Sequence, residues 1–517
     1  MNRREFLKTA FAAPLGAYAA PRQPNLLFLM ADQFRFDLLS AMGNRIISTP
    51  NLDRVAREGA LFRNAMSSCP VCVPARTTML TGKTLVNTKV VNNRASRDTE
   101  IDVGPTFDNL LHGRGYKSEY YGKWHSPYRM AATYDNKVCA VATRVPGVVS
   151  EKQSYLAYLD THVPRRAPKA GELIDPGSNR PYTPAILDPR YGSAARAAAA
   201  AAAADDDDDE KQATVYGLLH IPKEFTRPAH TVDEALAGLE RIKDGPFSLT
   251  CSIGPPHPPM LNVEPYWGMY PADRMPLPAN FHHDMSASPY RQLASRMQPY
   301  QVAENIRAMM SIYYGMVKEV DDNLGRLLVR LDKLGLTSNT LVVFTADHGE
   351  MLGGHGMHGK GCFYEEAVHI PLLMRLPGVI RAGTVVDTPV VQADYAPTIL
   401  DLLGVTGPAV DGRSLRPLLE GRGGYPDFAV SEWDRGTPNL MVRTRDWKLL
   451  MANKADVRAI DALFHLKEDP GETRNLLSGN DRQAYRKPAE EMRERLVAWC
   501  EHVRAPYLDQ IKRRQLE

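Results

Sequence analysis

The chain has 517 residues, 44% of them hydrophobic and 24% charged, a balance that supplies a sizeable core and excludes wholesale disorder. Lys plus Arg number 63 against 60 Asp plus Glu, a net charge of +3, which gives no electrostatic case for nucleic acid or an anionic membrane as partner. No apolar run reaches the ~18 residues needed to span a bilayer, and six cysteines over this length do not make a disulfide scaffold.

Residues 1–20 read as an address label. Arg3-Arg4-Glu5-Phe6-Leu7-Lys8 precedes a weakly apolar, Ala-rich stretch from Thr9 to Ala20, and Ala17-Tyr18-Ala19 offers small residues to a signal peptidase. Together these features predict a Tat-type signal peptide, and so export through the Tat machinery to the periplasm or the extracellular space. An ordinary surface helix is the alternative reading.

Asn25 to Met30 is a continuous apolar run bounded by Pro24 and Ala31-Asp32, which predicts a buried strand of a parallel sheet. Thr49-Pro50-Asn51-Leu52-Asp53 opens a helix with Leu52, Val55 and Ala56 on one face. Phe247 to Ile253 and Leu341 to Thr345 are further buried-strand candidates. Between them, Ile306, Met309, Met310, Tyr313, Met316, Val317, Val320, Leu324, Leu327 and Leu331 recur at three- and four-residue steps, which predicts a long helix over Val302 to Leu334. Strands alternating with helices predict a helix-covered α/β sheet over residues 21–385. Within it, Ala197 to Ala204 followed by Asp205 to Asp209 fits a helix extension and a solvated acidic loop better than a calcium loop, whose ligands alternate with spacers.

The texture changes near residue 385. Asp394 to Leu403 predicts a short helix ended by Gly404. Phe428 to Val430, Asn439 to Arg443 and Trp447 to Met451 predict strands at hairpin-like spacing, and Arg482 to Val503 predicts a closing helix. Residues 386–517 are therefore expected to form a smaller α+β subdomain.

Chemistry concentrates just past strands. Asp32-Gln33 follows the first and Asp347-His348-Gly349-Glu350 another, where ligands gather in open α/β sheets. Asp32 and Asp347 together suit one hard divalent cation, while each alone also suits a helix N-cap. Cys69 and Cys72 have C-x-x-C spacing, but no second pair and no H-x₃₋₅-H accompanies them, so zinc is poorly supported.

Cys72-Val73-Pro74-Ala75-Arg76 with Leu80-Thr81-Gly82 resembles the sulfatase signature C-x-P-x-R-x-x-x-L-T-G. Gly122-Lys123-Trp124-His125, Pro256-His257-Pro258, the Asp347 to Lys360 block and Leu466 to Leu476 resemble further segments of that family, in family order. The chain is thus similar to the type I, formylglycine-dependent sulfatases. The resemblance implies an alkaline-phosphatase-like fold: a large mixed, mostly parallel sheet between helices, with a small C-terminal antiparallel sheet and helix.

It also implies roles. A maturase would oxidise Cys72 to Cα-formylglycine, whose hydrate attacks sulfur and then collapses to release sulfate. Asp32, Gln33, Asp347 and His348 would hold one Ca²⁺ with the oxygen at position 72. Many sulfatases carry Asp at position 33 and Asn at 348, and histidine is a soft partner for calcium, so Mn²⁺ or Mg²⁺ stays open. Arg76 would clamp the nucleophile. Lys123 would neutralise sulfate, His125 would be the base for collapse, and His257 and Lys360 would bind sulfate and protonate the leaving oxygen. Glu350, His355 and His358 receive no role.

The expected substrate is a sulfate monoester, a carbohydrate sulfate first, with aryl sulfates as surrogates. A phosphonate monoester or phosphodiester hydrolase of the same superfamily also resembles the Gln33 and His348 pattern, but tends to lack the Lys123/His125 pair. A non-catalytic sulfoglycan-binding protein would have lost the nucleophile or metal acids, which are present. His162, Arg165, Arg166 and Arg190 fit surface charge better than a polyanion site. Cys139, Cys251, Cys362 and Cys500 are expected to be buried small residues, and Cys69 structural.

Overall fold

The computed structural model describes residues 23–98, 100–127, 130, 151–175, 177–185, 216–295, 301–433, 438–454, 460–480 and 482–516. The expected signal peptide, the Ala/Asp-rich segment, Cys139 and Arg190 lie outside these residues.

The strands in chain order are β1 (Asn25–Asp32), β2 (Ala60–Met66), β3 (Lys117–Gly122), β4 (Leu173–Asp175), β5 (Arg180–Pro184), β6 (Tyr216–Leu219), β7 (Phe247–Pro256), β8 (Met260–Asn262), β9 (Thr340–Ala346), β10 (His369–Arg375), β11 (Thr384–Val386), β12 (Val390–Val391), β13 (Phe428–Glu432), β14 (Leu440–Thr444), β15 (Trp447–Met451) and β16 (Ala462–His465). The principal helices are α1 (Pro50–Glu58), α2 (Cys72–Thr81), α3 (Arg227–Ile242), α4 (Ala303–Lys333), α5 (Tyr395–Leu402) and α6 (Arg486–Val503).

The large sheet runs β11-β2-β10-β9-β1-β7-β3, with β12 also on β2. Its pairs are parallel except those that β10 makes with β2 and β9. The central strands β1, β9 and β10 are buried along their whole length, as continuous apolar runs in a two-sided sheet require. All ten apolar positions that predict α4 are buried in the core it shares with the sheet.

The register decides where the chemistry lies. Ala31 pairs with Ala346 and Met30 with Ser252, while Ser252 also pairs with Gly122. Parallel strands in this register end together, so Asp347, Asp32, His257 and Lys123 all follow the same carboxyl edge.

The second sheet, β13-β14-β15-β16, is antiparallel and packs on α6 through Val442, Leu449, Leu463, Met492 and Leu496. Residues between the sheets behave differently from the texture change at 385. Tyr395, Ile399, Leu415 and Leu419 belong to the large-sheet core, because β12 still pairs with β2 and carries α5 back onto that face. The small sheet starts at Phe428. A third sheet, β4-β5-β6-β8, is inserted after β3 and has its own core of Tyr155, Leu159, Tyr182 and Tyr266; nothing in the sequence analysis anticipates it.

Candidate active site

Helix α2 begins at Cys72 and every residue in it is buried. Its third residue is Pro74, tolerated in a first turn whose N–H groups lack helical partners in any case. The four-residue step from Cys72 to Arg76 puts both side chains on one helix face, turned toward the ends of β1 and β9. The ligand atoms of Asp32, Cys72, Asp347 and His348 all lie within 4.8 Å of one another, and all four residues are buried.

Arg76 binds this group from beneath. Its Nε donates to Asp347 Oδ2 (2.7 Å) and its Nη2 to Asp32 Oδ2 (2.9 Å). Its Nη1 donates to the Lys123 carbonyl (2.8 Å) and to Ser252 Oγ (3.0 Å). Burial opposes its charge, but Asp347 and Asp32 outweigh burial and raise its pKa. Lys123 Nζ shares the same Asp32 oxygen at 2.7 Å. Burial pushes the Asp32 carboxyl up, yet Lys123, His257, Arg76 and Lys360 together hold it well below the usual carboxylate range. Asp32 is therefore an anion, and its Oδ1 is the oxygen on the Cys72 and His348 side, 4.0 Å from the sulfur.

His348 has one tautomer open to it. Its Nδ1 lies 2.9 Å from the Gly349 carbonyl, which only accepts, so Nδ1 carries the proton. Its Nε2 then presents a lone pair, 3.1 Å from Cys72 Sγ. Burial, with Lys360 nearby, lowers its pKa and keeps it neutral. Asp347 Oδ1 accepts the backbone N–H groups of Gln33 and His348, each at 3.0 Å. Two carboxylates and one imidazole lone pair converge here as a set that fits a hard divalent cation.

Gln33 turns the chain away from β1 in the left-handed region (φ 62). Lys360 Nζ donates to its Oε1 at 3.1 Å and to Cys72 Sγ at 3.2 Å. His125, two residues past Lys123, is buried with φ 35, and His257 is half-buried with Nδ1 2.7 Å from the Pro258 carbonyl. The fold thus brings Asp32, Gln33, Cys72, Arg76, Lys123, Asp347, His348 and Lys360 into direct contact, with His257 close enough for its charge to act on Asp32.

Three contributors escape the sequence analysis. Glu350 is fully buried behind Gln33 and accepts from its Nε2; its place in the Asp347 block was the available signal. Tyr313 reads there as one of α4's core positions, yet its hydroxyl donates to the Gln33 carbonyl. Gln392 donates to the carbonyls of Ala346 (2.9 Å) and Asp347 (2.8 Å) and accepts from the Ser68 N–H (2.9 Å), tying the segment that leads into Cys72 to the segment that carries Asp347; its sequence carries no signal.

Elsewhere, Arg165 pairs with Asp160 and Arg166 with Glu172, so both are neutralised on the surface. Cys69, Cys72, Cys251, Cys362 and Cys500 are buried and free of disulfides.

The family model described as Sulfatase matches residues 24–405, and that described as N-sulphoglucosamine sulphohydrolase, C-terminal, matches residues 353–502. The multifunctional alkaline phosphatase superfamily protein PehA of Trinickia caryophylli is 28% identical over 92% of this chain and 95% of its own. The N-acetylglucosamine-6-O-sulfatase of Bacteroides thetaiotaomicron is 25% identical over 88% of this chain and 83% of its own. Among solved structures, the phosphonate monoester hydrolase of Agrobacterium radiobacter is 26% identical, covers 93% of this chain and 96% of that one, and superposes with a TM-score of 0.71. The large mixed sheet with its small C-terminal antiparallel sheet is the alkaline-phosphatase-like arrangement.

Proposed function

Because this chain belongs to the sulfatase family and is a sulfuric ester hydrolase, we propose that it cleaves a sulfate monoester, a carbohydrate sulfate first, at the cluster around Cys72. The observation that carries this reading is the approach of Asp32, Cys72, Asp347 and His348 to within 4.8 Å, with Lys360 3.2 Å from the sulfur.

Formylglycine made from Cys72 supplies the nucleophilic oxygen. Asp32, Gln33, Asp347 and His348 hold one divalent cation, Ca²⁺ by the oxygen-rich donor set, which supplies Lewis-acid stabilisation of that oxygen and of sulfate. Arg76 spends its hydrogen bonds on Asp32, Asp347, Lys123 and Ser252, so it orients the carboxylates and leaves the ester to other groups. Lys123 and Lys360 offer ammonium donors to sulfuryl oxygens as charge develops. Lys360 and His257 hold a proton for the departing oxygen, and His125 is the base that resets position 72.

Charge supports an anionic substrate. Arg76, Lys123 and Lys360 balance Asp32, Asp347 and Glu350 in the protein alone, so a bound divalent cation leaves the pocket positive and a sulfate monoester offsets that excess. Related proteins point to a glycan: the family model matched over residues 353–502 is that of an N-sulphoglucosamine sulphohydrolase C-terminal region, and one relative is an N-acetylglucosamine-6-O-sulfatase. Twin arginines in residues 1–20 support export by the Tat route, and among the described residues no helix is long and apolar enough to cross a membrane. The large sheet with its helices makes the catalytic domain of the mature chain, and the β13-β14-β15-β16 sheet with α6 makes its C-terminal subdomain.

The test is the mass of the peptide spanning Cys72, from protein made together with a formylglycine-generating enzyme, followed by assay of a sulfated-glycan panel. Conversion of thiol to aldehyde and release of sulfate are expected, both lost in Cys72→Ala, and release alone lost in Asp347→Ala. A persistent thiol despite a competent maturase overturns the reading.

A second reading, a phosphonate monoester or phosphodiester hydrolase, is favoured by Gln33 and His348 together with the likeness to the Agrobacterium enzyme. The Lys123/His125 pair supports the first reading over it. Higher kcat/KM on a phosphonate monoester than on the matched sulfate monoester would reverse that order.

A further inference from the structure

Gln33 sits between two groups of opposite hydrogen-bonding character. On one side is the Glu350 carboxylate, buried and able only to accept. On the other is the Lys360 ammonium, able only to donate. A carboxamide's oxygen and nitrogen are nearly isosteric, so its orientation is set by its partners. Here one orientation satisfies both: Nε2 donates to Glu350 Oε2, and Oε1 accepts from Lys360 at 3.1 Å. The Gln33 backbone is pinned at the same time by Asp347 Oδ1 and the Tyr313 hydroxyl.

The other Glu350 oxygen holds the loop that carries Lys360. Oε1 accepts the Leu352 N–H at 3.1 Å and the N–H of Gly359, the residue before Lys360. The Gly359 carbonyl accepts from the Met351 N–H at 2.8 Å, which closes the loop on itself. Gly359 adopts φ +78, the left-handed region that glycine enters without steric cost. Behind this, Arg35 Nη1 donates to the carbonyls of Glu350 (3.2 Å) and Met351 (3.1 Å). Glu350 therefore reaches Lys360 by two routes, through the backbone of Gly359 and through the oxygen of Gln33. Lys360 in turn lies 3.2 Å from the sulfur of Cys72.

We propose that Glu350 is the positioning residue of this site: its carboxylate fixes the orientation of the Gln33 amide and, with the Gly359 N–H, aims the Lys360 ammonium at position 72. It touches neither substrate nor the reacting atoms. The proposal rests on the reading that Lys360 acts on the ester, whichever ester it is.

The test is a substitution cycle, run on whichever of a sulfate monoester and a phosphonate monoester the wild type cleaves. Glu350→Gln keeps one oxygen to accept the Leu352 and Gly359 N–H groups but turns its amide nitrogen, a donor, against the Gln33 Nε2 donor, so the Gln33 amide is released. A fall in kcat/KM of about 10²-fold is expected, the size of a misplaced catalytic group. In a Lys360→Ala background the same substitution should add less than about threefold, because its target is gone. The exchange Gln33→Glu with Glu350→Gln reverses one donor and one acceptor and restores every bond; it should regain activity to within about tenfold of wild type. Losses that multiply, an E350Q enzyme within about threefold of wild type, or an exchange variant no better than E350Q each overturn the proposal.

Circular dichroism checks folding, and if E350Q does not fold, Glu350→Asp is carried through the Lys360→Ala comparison by the same criteria. Crystal structures of wild type, the single variant and the exchange variant give a readout independent of turnover. Lys360 displaced from position 72 only in the single variant is expected, and an unmoved Lys360 overturns the proposal. If the wild type cleaves neither ester, the functional reading fails, and these structures still decide the role of Glu350.

Discussion

Lys360 Nζ stands 3.2 Å from Cys72 Sγ, across 288 residues of sequence. Neither residue is held by its own loop alone. Cys72 starts a helix packed beneath the sheet edge, and Lys360 sits on a glycine-flanked loop between β9 and β10. The site is therefore an assembly of separately anchored parts, and each anchor can be tested.

Metal removal should be visible without turnover. Two buried carboxylates and the His348 lone pair converge at the site, so a cation that binds only the folded state stabilises it. That stabilisation is about 2.7 kcal/mol at a ligand concentration of 100 Kd. Chelation should lower the melting temperature and added calcium should restore it, with no calcium response in Asp347→Ala. A melting temperature indifferent to Ca²⁺, Mg²⁺ and Mn²⁺ alike would sink the metal assignment.

Arg76 should not tolerate lysine. Four directed hydrogen bonds leave its guanidinium, and an ammonium is a compact point donor that cannot span the same partners. Removing the charge altogether, as in Arg76→Met, leaves Asp32 and Asp347 buried with one cation fewer. Urea unfolding should report a loss of about 3–5 kcal/mol. A loss below ~1 kcal/mol would mean that the pair is not behaving as a buried one.

The C-terminal sheet is fastened to the Lys360 loop by ions. Lys448 is fully buried and reaches Glu365 (2.7 Å), Glu472 (2.8 Å) and the Phe363 carbonyl (2.9 Å), while Arg443 binds Glu365 at 3.1 Å. Lys448→Met should destabilise by about 3–5 kcal/mol, because two carboxylates lose a buried partner. Differential scanning calorimetry checks it, and an unchanged transition would rule out the fastening.

Stability should also depend on pH through Glu319, which is buried on α4. Burial between α3 and α4 pushes its pKa from 4.5 up to about 7, against the bond from Thr226. The folded state binds this proton more tightly than the unfolded chain. Its contribution is therefore complete below about pH 4.5 and is lost as pH rises through about 7. Glu319→Gln keeps a Thr226 acceptor and removes the titration. Its melting temperature should match wild type near pH 5 and exceed it near pH 8. A gap that does not widen with pH would show that Glu319 stays ionised in the folded protein.

The strands β1, β7 and β9 and the helix α4 were legible because each is a long element with one unbroken period. β10 was not, although it lies at the centre of the sheet. Pro371 argues against a central strand, and the fold absorbs it at a register shift between Ile370 and Leu372. β2 hides for a related reason: Arg63 is exposed and Asn64 half-buried between buried ends. The inserted sheet β4-β5-β6-β8 has strands too short to print a pattern.

By itself the sequence determined which chemical groups are available and in what local frame: a cysteine and an arginine one helical turn apart, acids just past apolar strands, and a lysine among glycines. Those are properties of neighbours in the chain, where a period of 2 or 3.6 fixes direction. Only the tertiary structure decided which acid shares which cation, which His348 nitrogen keeps its lone pair, and which way the Gln33 amide points. Glu350 and Gln33 are 317 residues apart, and the donor or acceptor sense of such a bond exists only once the sheet register has brought the two groups together away from water.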